Sequence, residues 1–140
     1  MKKLVAFITS GYPEKSFSID LALALAENGV DTLELGVPFS DPVADGPLIE
    51  KATHKALALG FKFEHLLEIS KAVAPKIDTL WMGYFNSFYQ QNMEKLIPLA
   101  REIGVNGLII PDLPYEEGVK YSKLFTENSV ANISFVAPTD

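Results

Sequence analysis

A parallel α/β fold is predicted by three features of this 140-residue chain: short strands that are apolar throughout, amphipathic segments between them, and glycine or proline at most junctions. Strands covered on both faces read as unbroken apolar runs rather than as alternation. Regular exchange of strand and helix is the pattern of right-handed βαβ crossovers on a parallel sheet. Hydrophobic residues make up 48% of the chain and charged residues 21%, enough for one domain with a substantial core.

Residues 4–9 form the first expected strand, stopped by Gly11 and Pro13. Residues 16–29 carry helical spacing: Phe17, Leu21, Ala24 and Leu25 share a face, and Gly29 stands where a C-terminal cap belongs. Residues 31–37 read as the second strand, 47–59 as a helix ended by Gly60, and 63–74 as another amphipathic helix. The third strand is expected over 78–85. Residues 92–103 are helical in pattern and closed by Gly104, with Pro98 expected to kink or split them. A fourth strand over 105–114, a helix over 115–128 and a fifth strand over 131–140 complete the series. No linker or low-complexity stretch interrupts it, so residues 1–140 are expected to form a single domain.

Two architectures fit this order: an open doubly wound sheet, or part of a (β/α)₈ barrel. The strand ends favour the barrel. Thr9-Ser10-Gly11, Glu34-Leu35-Gly36, Tyr84-Phe85-Asn86 and Pro111-Asp112-Leu113-Pro114 collect polar and titratable groups at the carboxyl ends of four strands, where a barrel places its chemistry. A doubly wound nucleotide binder usually carries a glycine-rich first loop, and Ser10-Gly11-Tyr12-Pro13 is not one.

Composition narrows the function. A net charge of −6 argues against nucleic-acid binding, which needs a basic footprint. It leaves room for a small anion held by backbone N–H groups. The chain has no cysteine, which removes disulfides, thiolate metal sites and cysteine nucleophiles and fits a cytoplasmic location. Lys2-Lys3 followed by a short apolar run resembles the start of a signal peptide, but the run breaks at residues 9–13 and no small-residue cleavage site follows. No segment approaches the ~20 apolar residues of a membrane span.

The chemistry is concentrated in Leu33 to Pro47, LELGVPFSDPVADGP. An acid, Glu34, interrupts an apolar strand near its carboxyl end. Leu33 and Leu35 point to one face, which leaves Glu34 with Thr32 and Gly36 on the other. A single acid in such a place is most often a solvated or ion-paired surface group. At a barrel mouth, however, desolvation raises a carboxyl pKa and suits it to general acid-base work. The following loop brings a second acid, Asp45, that can fold over the same mouth. Pro38, Pro42 and Pro47 restrict this loop, and Gly36 and Gly46 are expected to supply torsions closed to other residues. Ser40-Asp41-Pro42 and Asp45-Gly46 also form turns without any function. The calcium-loop spacing is absent, and no metal site is expected.

LELGVPFSDPVADGP resembles the signature of tryptophan synthase α subunits, and the likeness extends to FITSGYP, MGYFN and GLIIPDLPYEE. That resemblance implies a (β/α)₈-barrel lyase of tryptophan biosynthesis that cleaves indole-3-glycerol phosphate to indole and glyceraldehyde 3-phosphate without metal or cofactor. It also implies a pyridoxal-phosphate-dependent β subunit as partner, in an α₂β₂ assembly that receives the indole through a tunnel. Carried over residue by residue, Glu34 and Asp45 become the catalytic acids. Phe7, Met82, Tyr84 and Ile109 fall on the indole pocket; core packing is the alternative for each, and for Met82 and Ile109 the two explanations weigh equally. Asp112 falls at the active-site mouth, as a substrate-side group or a support for the loop. Asp41 falls at the contact with the partner.

The chain departs from the family in two respects. A complete barrel needs about 250 residues, so only about the first five βα units are expected here, without the late-strand loops that bind phosphate. The helix that usually precedes the first strand is missing as well. Two alternatives to the lyase follow: a catalytically silent barrel fragment acting as a folding or interaction unit, and a different barrel enzyme acting on a phosphorylated sugar or indole compound.

Overall fold

The computed structural model describes residues 1–136 and Pro138. Five strands pair in parallel in the order of the sequence: β1 (Val5–Thr9), β2 (Thr32–Gly36), β3 (Asp78–Met82), β4 (Val105–Ile109) and β5 (Ala131–Ile133). A doubly wound sheet reverses its strand order once, and this sheet does not. Each right-handed crossover therefore leaves its helix on the same face. The helices α1 (Lys15–Glu27), α3 (Phe63–Val73), α5 (Met93–Ile103) and α7 (Ser122–Glu127) pack one against the next along that face, while α2 (Pro47–Ala58) rests on β1. This is one arc of a (β/α)₈ barrel.

The register sorts side chains into two populations. Leu33, Leu35, Trp81, Val105 and Leu108 face the helices and are fully buried. The opposite face is built in rows, as barrel interiors are. Val5, Thr32 and Asp78 form the row at the amino ends. Phe7, Glu34, Leu80, Gly107 and Ala131 form the middle row. Thr9, Gly36, Met82, Ile109 and Ile133 form the row at the carboxyl ends. Phe7, Glu34, Leu80 and Met82 are only half-buried, because no second layer covers them among the described residues.

Local chemistry accounts for the elements. In α3, Leu66, Ile69, Ser70 and Val73 are all buried, the spacing of a helix with one face in a core. Ser70 is tolerated there because its hydroxyl accepts the Trp81 indole N–H at 2.8 Å and donates to the Leu66 carbonyl at 2.7 Å. Trp81 in turn stacks on Phe88 at 6.4 Å and meets the edge of Phe63 at 6.0 Å. Gly104 closes α5 with φ +105°, a left-handed torsion that glycine adopts without strain. At the amino end of the sheet, Asp78 accepts from the Thr32 hydroxyl at 2.7 Å and from the Asn106 side-chain amide at 2.6 Å, tying β2, β3 and β4 together.

The structure departs from the sequence-based expectation in four places. The helix at Met93–Ile103 runs through Pro98 unbroken. The carbonyl deprived of its donor is that of Glu94, an exposed residue where water can serve it. The segment expected as one helix over 115–128 is instead α6 (Tyr115–Gly118), a 3₁₀ turn at Val119–Tyr121 and α7. Gly118 weakens the helix, and on the last segment Phe125 is buried in the core. A short helix, α4 (Phe85–Tyr89), occupies the end of the expected third strand, because Phe88 turns inward onto Trp81. Finally, β5 stops at Ile133, where its partner β4 ends at Ile109 ahead of Pro111. The last residues of the expected fifth strand, Ala137, Thr139 and Asp140, lie outside the described residues.

Ser70→Ala leaves the buried Trp81 indole N–H without its acceptor. Loss of about 1–3 kcal/mol is expected, read as a lower urea midpoint with an unchanged slope.

Candidate active site

The strand exits are joined by a ladder that outlasts the strands. Ser10 N–H donates to the Gly36 carbonyl at 3.0 Å, Val37 N–H to Met82 at 2.8 Å, and Gly83 N–H to Ile109 at 3.0 Å. These bonds hold the carboxyl ends of β1 to β4 side by side, so that the loops leaving them surround one mouth.

A pocket opens at this mouth. Its walls include Phe7, Met82 and Tyr84 from the strand ends, Ile49 and Thr53 from α2, and Asp45 from the loop between β2 and α2. Gly36 forms its floor for reasons of space. A Cβ there would stand 2.4 Å from Cζ of Phe7, so only glycine lets the ring lie across β2. The expectation of unusual torsions in the loop is corrected here. Gly46 has φ −80° and ψ 171°, which any residue adopts, and Gly36 is needed because it lacks a side chain. Pro47 occupies the first turn of α2, where its missing N–H costs nothing.

The loop lies folded over the pocket. Phe39 packs on Tyr84 with ring centroids 5.5 Å apart. The Tyr84 hydroxyl accepts the N–H groups of Val43 at 3.2 Å and Ala44 at 2.9 Å. With the loop in this position the cavity holds only about 20 Å³, room for a water molecule and little more. A bicyclic ring fits there only after the walls of the pocket have moved apart.

Two carboxyls on this side of the sheet stand in different surroundings. Glu34 stands in the middle row between Phe7 and Leu80. Burial raises its pKa above the ordinary glutamate value. Among the described residues its carboxyl has no hydrogen bond or ion pair with a side chain. Burial raises the pKa of Asp45 too; the Tyr84 hydroxyl, acting as donor, pulls it back, and the charge of Glu50 pushes it further up.

Of the residues singled out in the sequence, Phe7, Asp45, Met82 and Tyr84 come together at the pocket wall. Glu34 does not line the pocket; it lies beside Phe7 in the middle row of the same face, and Ile109 is buried beside Met82 in the row at the carboxyl ends. Asp112 is exposed and accepts the Phe85 N–H at 2.7 Å. Asp41 is exposed on the loop, where it accepts from the Ser40 hydroxyl at 3.3 Å. Sequence reasoning noted Thr9 only as part of a strand end, and it missed Ile49, Glu50 and Thr53. The helical spacing of Ile49, Thr53 and Ala56 was the available signal for two of the three on α2. Among the described residues no cluster of His, Cys, Asp and Glu suits a metal, and no helix is long and apolar enough to cross a membrane.

Comparison with known proteins gives a consistent result. The family model described as tryptophan synthase alpha chain matches residues 1–140. The chain belongs to the tryptophan synthase alpha chain family. A tryptophan synthase alpha chain of Wolinella succinogenes is 55% identical over 139 residues, which are 99% of this chain and 54% of that protein. A crystal structure of tryptophan synthase from M. tuberculosis superposes with a TM-score of 0.95 at 32% identity, covering 99% of this chain and 56% of that one. A structure of the tryptophan synthase α₂β₂ complex from Pyrococcus furiosus gives 0.92 at 29% identity, covering 99% and 58%. The chain thus spans about half the length of the tryptophan synthase alpha chains it matches, and its five strands are the corresponding arc of their barrel.

The raised pKa of Glu34 fixes the sign of a stability effect. Between the unfolded and the folded pKa the native state holds more protons than the unfolded state, so stability falls as pH rises through that window. Glu34→Gln removes the buried charge. At pH 7 the variant is expected to be more stable than the parent, with the difference vanishing below about pH 4. Urea denaturation at the two pH values measures it, and equal stability at pH 7 would contradict the desolvation of Glu34.

Proposed function

We propose that residues 1–140 form the N-terminal part of a single barrel domain and supply the acid-base half of a carbon–carbon lyase acting on indole-3-glycerol phosphate. One observation carries this reading. A proline-braced loop brings a carboxyl, Asp45, to the wall of a pocket shared by Phe7 and Tyr84 at the carboxyl ends of the strands, and a partly desolvated glutamate, Glu34, stands beside Phe7 on the same face of the sheet. The resemblance of LELGVPFSDPVADGP to the family signature gives the substrate.

The division of labour follows from the two environments. Glu34, in its protonated form, donates to C3 of the indole ring and leaves positive charge on the ring nitrogen. Ionised Asp45 accepts the ring N–H and stabilises that charge in a site shielded from water. Glu34, now a carboxylate, takes the proton of the glycerol hydroxyl next to the scissile bond. The carbonyl of glyceraldehyde 3-phosphate forms, the carbon–carbon bond breaks, and its electron pair restores the indole ring. One proton enters and one leaves, so Glu34 ends as it began. Phe7, Met82 and Tyr84 provide walls for the flat ring, and Ile109 supports them from beside Met82. No residue of this chain is assigned to the phosphate. A β subunit is the partner in this reading, met at the rim where Asp41 is exposed, and a cytoplasmic location fits the absence of cysteine.

A second reading rests on length. The chain spans about half the length of its relatives, and a barrel arc of this extent standing alone would be a folding or interaction unit with no turnover of its own. Release of indole from indole-3-glycerol phosphate separates the two, measured on the 140-residue chain and on a family-length barrel that contains it.

In a turning-over barrel, Glu34→Gln should lower kcat by at least about 10²-fold, the scale of general acid-base catalysis. Asp45→Asn should cause a comparable loss with little change in stability, since asparagine has the same shape and the position is only partly buried. Near-parent turnover by either folded variant would remove that residue from the mechanism.

Asp41→Ala should diminish the activation of indole release by saturating β subunit while sparing turnover of the barrel alone. Equal activation of parent and variant would refute a partner role for Asp41.

A further inference from the structure

The hydrogen bonds around Tyr84 link three strand ends in series. Asp112 lies in the turn after β4, which the Leu113 N–H closes onto the Ile110 carbonyl at 3.2 Å. Its Oδ1 accepts the N–H of Phe85 at 2.7 Å. Phe85 is the first residue of α4, and Tyr84 caps that helix without a cap from its own side chain. Asp112 therefore supplies from another strand the acceptor that the start of α4 lacks, and its negative charge suits a helix N-terminus. Fixing this N–H fixes the backbone from which Tyr84 projects. Tyr84 is 5% exposed, and its ring is held by Phe39.

The Tyr84 hydroxyl completes the series. A phenol oxygen has one proton and two lone pairs, and the N–H groups of Val43 and Ala44 fill its acceptor side. Its own proton remains to be given elsewhere. The next residue of the loop is Asp45, which shares the pocket wall with Tyr84.

We propose that Asp112 and Tyr84 are positioning residues for Asp45, forming a brace that runs from the end of β4, through the turn before α4, to the loop after β2. The proposal rests on the assignment of Asp45 to the reacting ring nitrogen. It gives Asp112 a role distinct from contact with substrate. Asp112 acts two hydrogen bonds away by keeping the Tyr84 hydroxyl where the loop backbone can reach it. The brace parallels the backbone ladder from Gly83 to Ile109 and from Val37 to Met82, so its base does not drift as the loop moves.

The test compares Tyr84→Phe, Asp112→Ala and Asp112→Asn. Tyr84→Phe keeps the ring wall and deletes the hydroxyl, and Asp112→Asn keeps an acceptor oxygen for Phe85. Amide hydrogen exchange at Val43 and Ala44 is measured on each variant without ligand. Both amides should exchange at least about tenfold faster in Tyr84→Phe and Asp112→Ala than in the parent, with Asp112→Asn close to the parent. In a family-length barrel, kcat should fall about tenfold in Tyr84→Phe and Asp112→Ala, KM should stay level or fall, and Asp112→Asn should recover most of the loss. A rise in KM with unchanged kcat in Asp112→Ala would assign that residue to substrate and overturn the brace. Parent-like exchange at both amides in Asp112→Ala, or fast exchange in the parent itself, would overturn it as well. If the parent barrel releases no indole, the lyase assignment fails, while the exchange measurement still decides the brace.

Discussion

Register is the constraint on which the site depends. Side chains alternate across a strand, so a slip of β2 by one residue would carry Glu34 beneath the helices and turn Leu33 and Leu35 toward the pocket. Two features oppose the slip. On the helix face, Leu33, Leu35 and Trp81 are fully buried, and exchanging any of them for a carboxylate would place an unpaired charge in the core. On the other face, Asp78 accepts from Thr32 and Asn106 at once, and these bonds form in one alignment of three strands only. A polar clasp at the amino ends of the sheet thus determines where a carboxyl stands at the opposite end.

The same alignment gives the two acids different surroundings. Glu34 is held by the sheet, between an aromatic and an aliphatic neighbour, with nothing to offset its desolvation. Asp45 is carried by a loop and faces a donor, Tyr84, as well as a like charge, Glu50. A rigid position suits the group that must both give and take a proton. A movable position suits the group that must stand aside for a ring to enter and then return to accept its N–H.

Much of this was legible in the chain. Uniformly apolar strands, five in number and separated by helical spacing, specified a parallel sheet, and polar groups at their carboxyl ends specified the barrel. Glu34 stood out because it breaks an apolar run, and Asp45 because prolines enclose it. Other features had no local signature. Glycine at position 36 looked like a demand for an unusual torsion, whereas it yields to the ring of Phe7 from a neighbouring strand. The break at Gly118 and the inward turn of Phe88 depend on what the core must receive, which spacing within one helix does not reveal. Pro98 looked like a breaker until exposure of Glu94 left the orphaned carbonyl to water. The partners of Tyr84 and Asp112 lie about 27 to 41 positions away in sequence, and no pattern within a segment announces them.

The clasped loop has a bearing on how strongly a ligand is captured. A cavity of about 20 Å³ admits nothing larger than a water molecule, so a ligand binds there only in the fraction of molecules whose pocket walls stand apart. Observed affinity is the intrinsic affinity scaled by that fraction, and each tenfold preference for the closed form weakens capture about tenfold. The hydrogen bonds that Val43 and Ala44 donate to Tyr84 therefore set occupancy and reactivity against each other. Sequence changes that loosen this loop would favour scavenging at low ligand concentration, and changes that tighten it would favour throughput when ligand is plentiful.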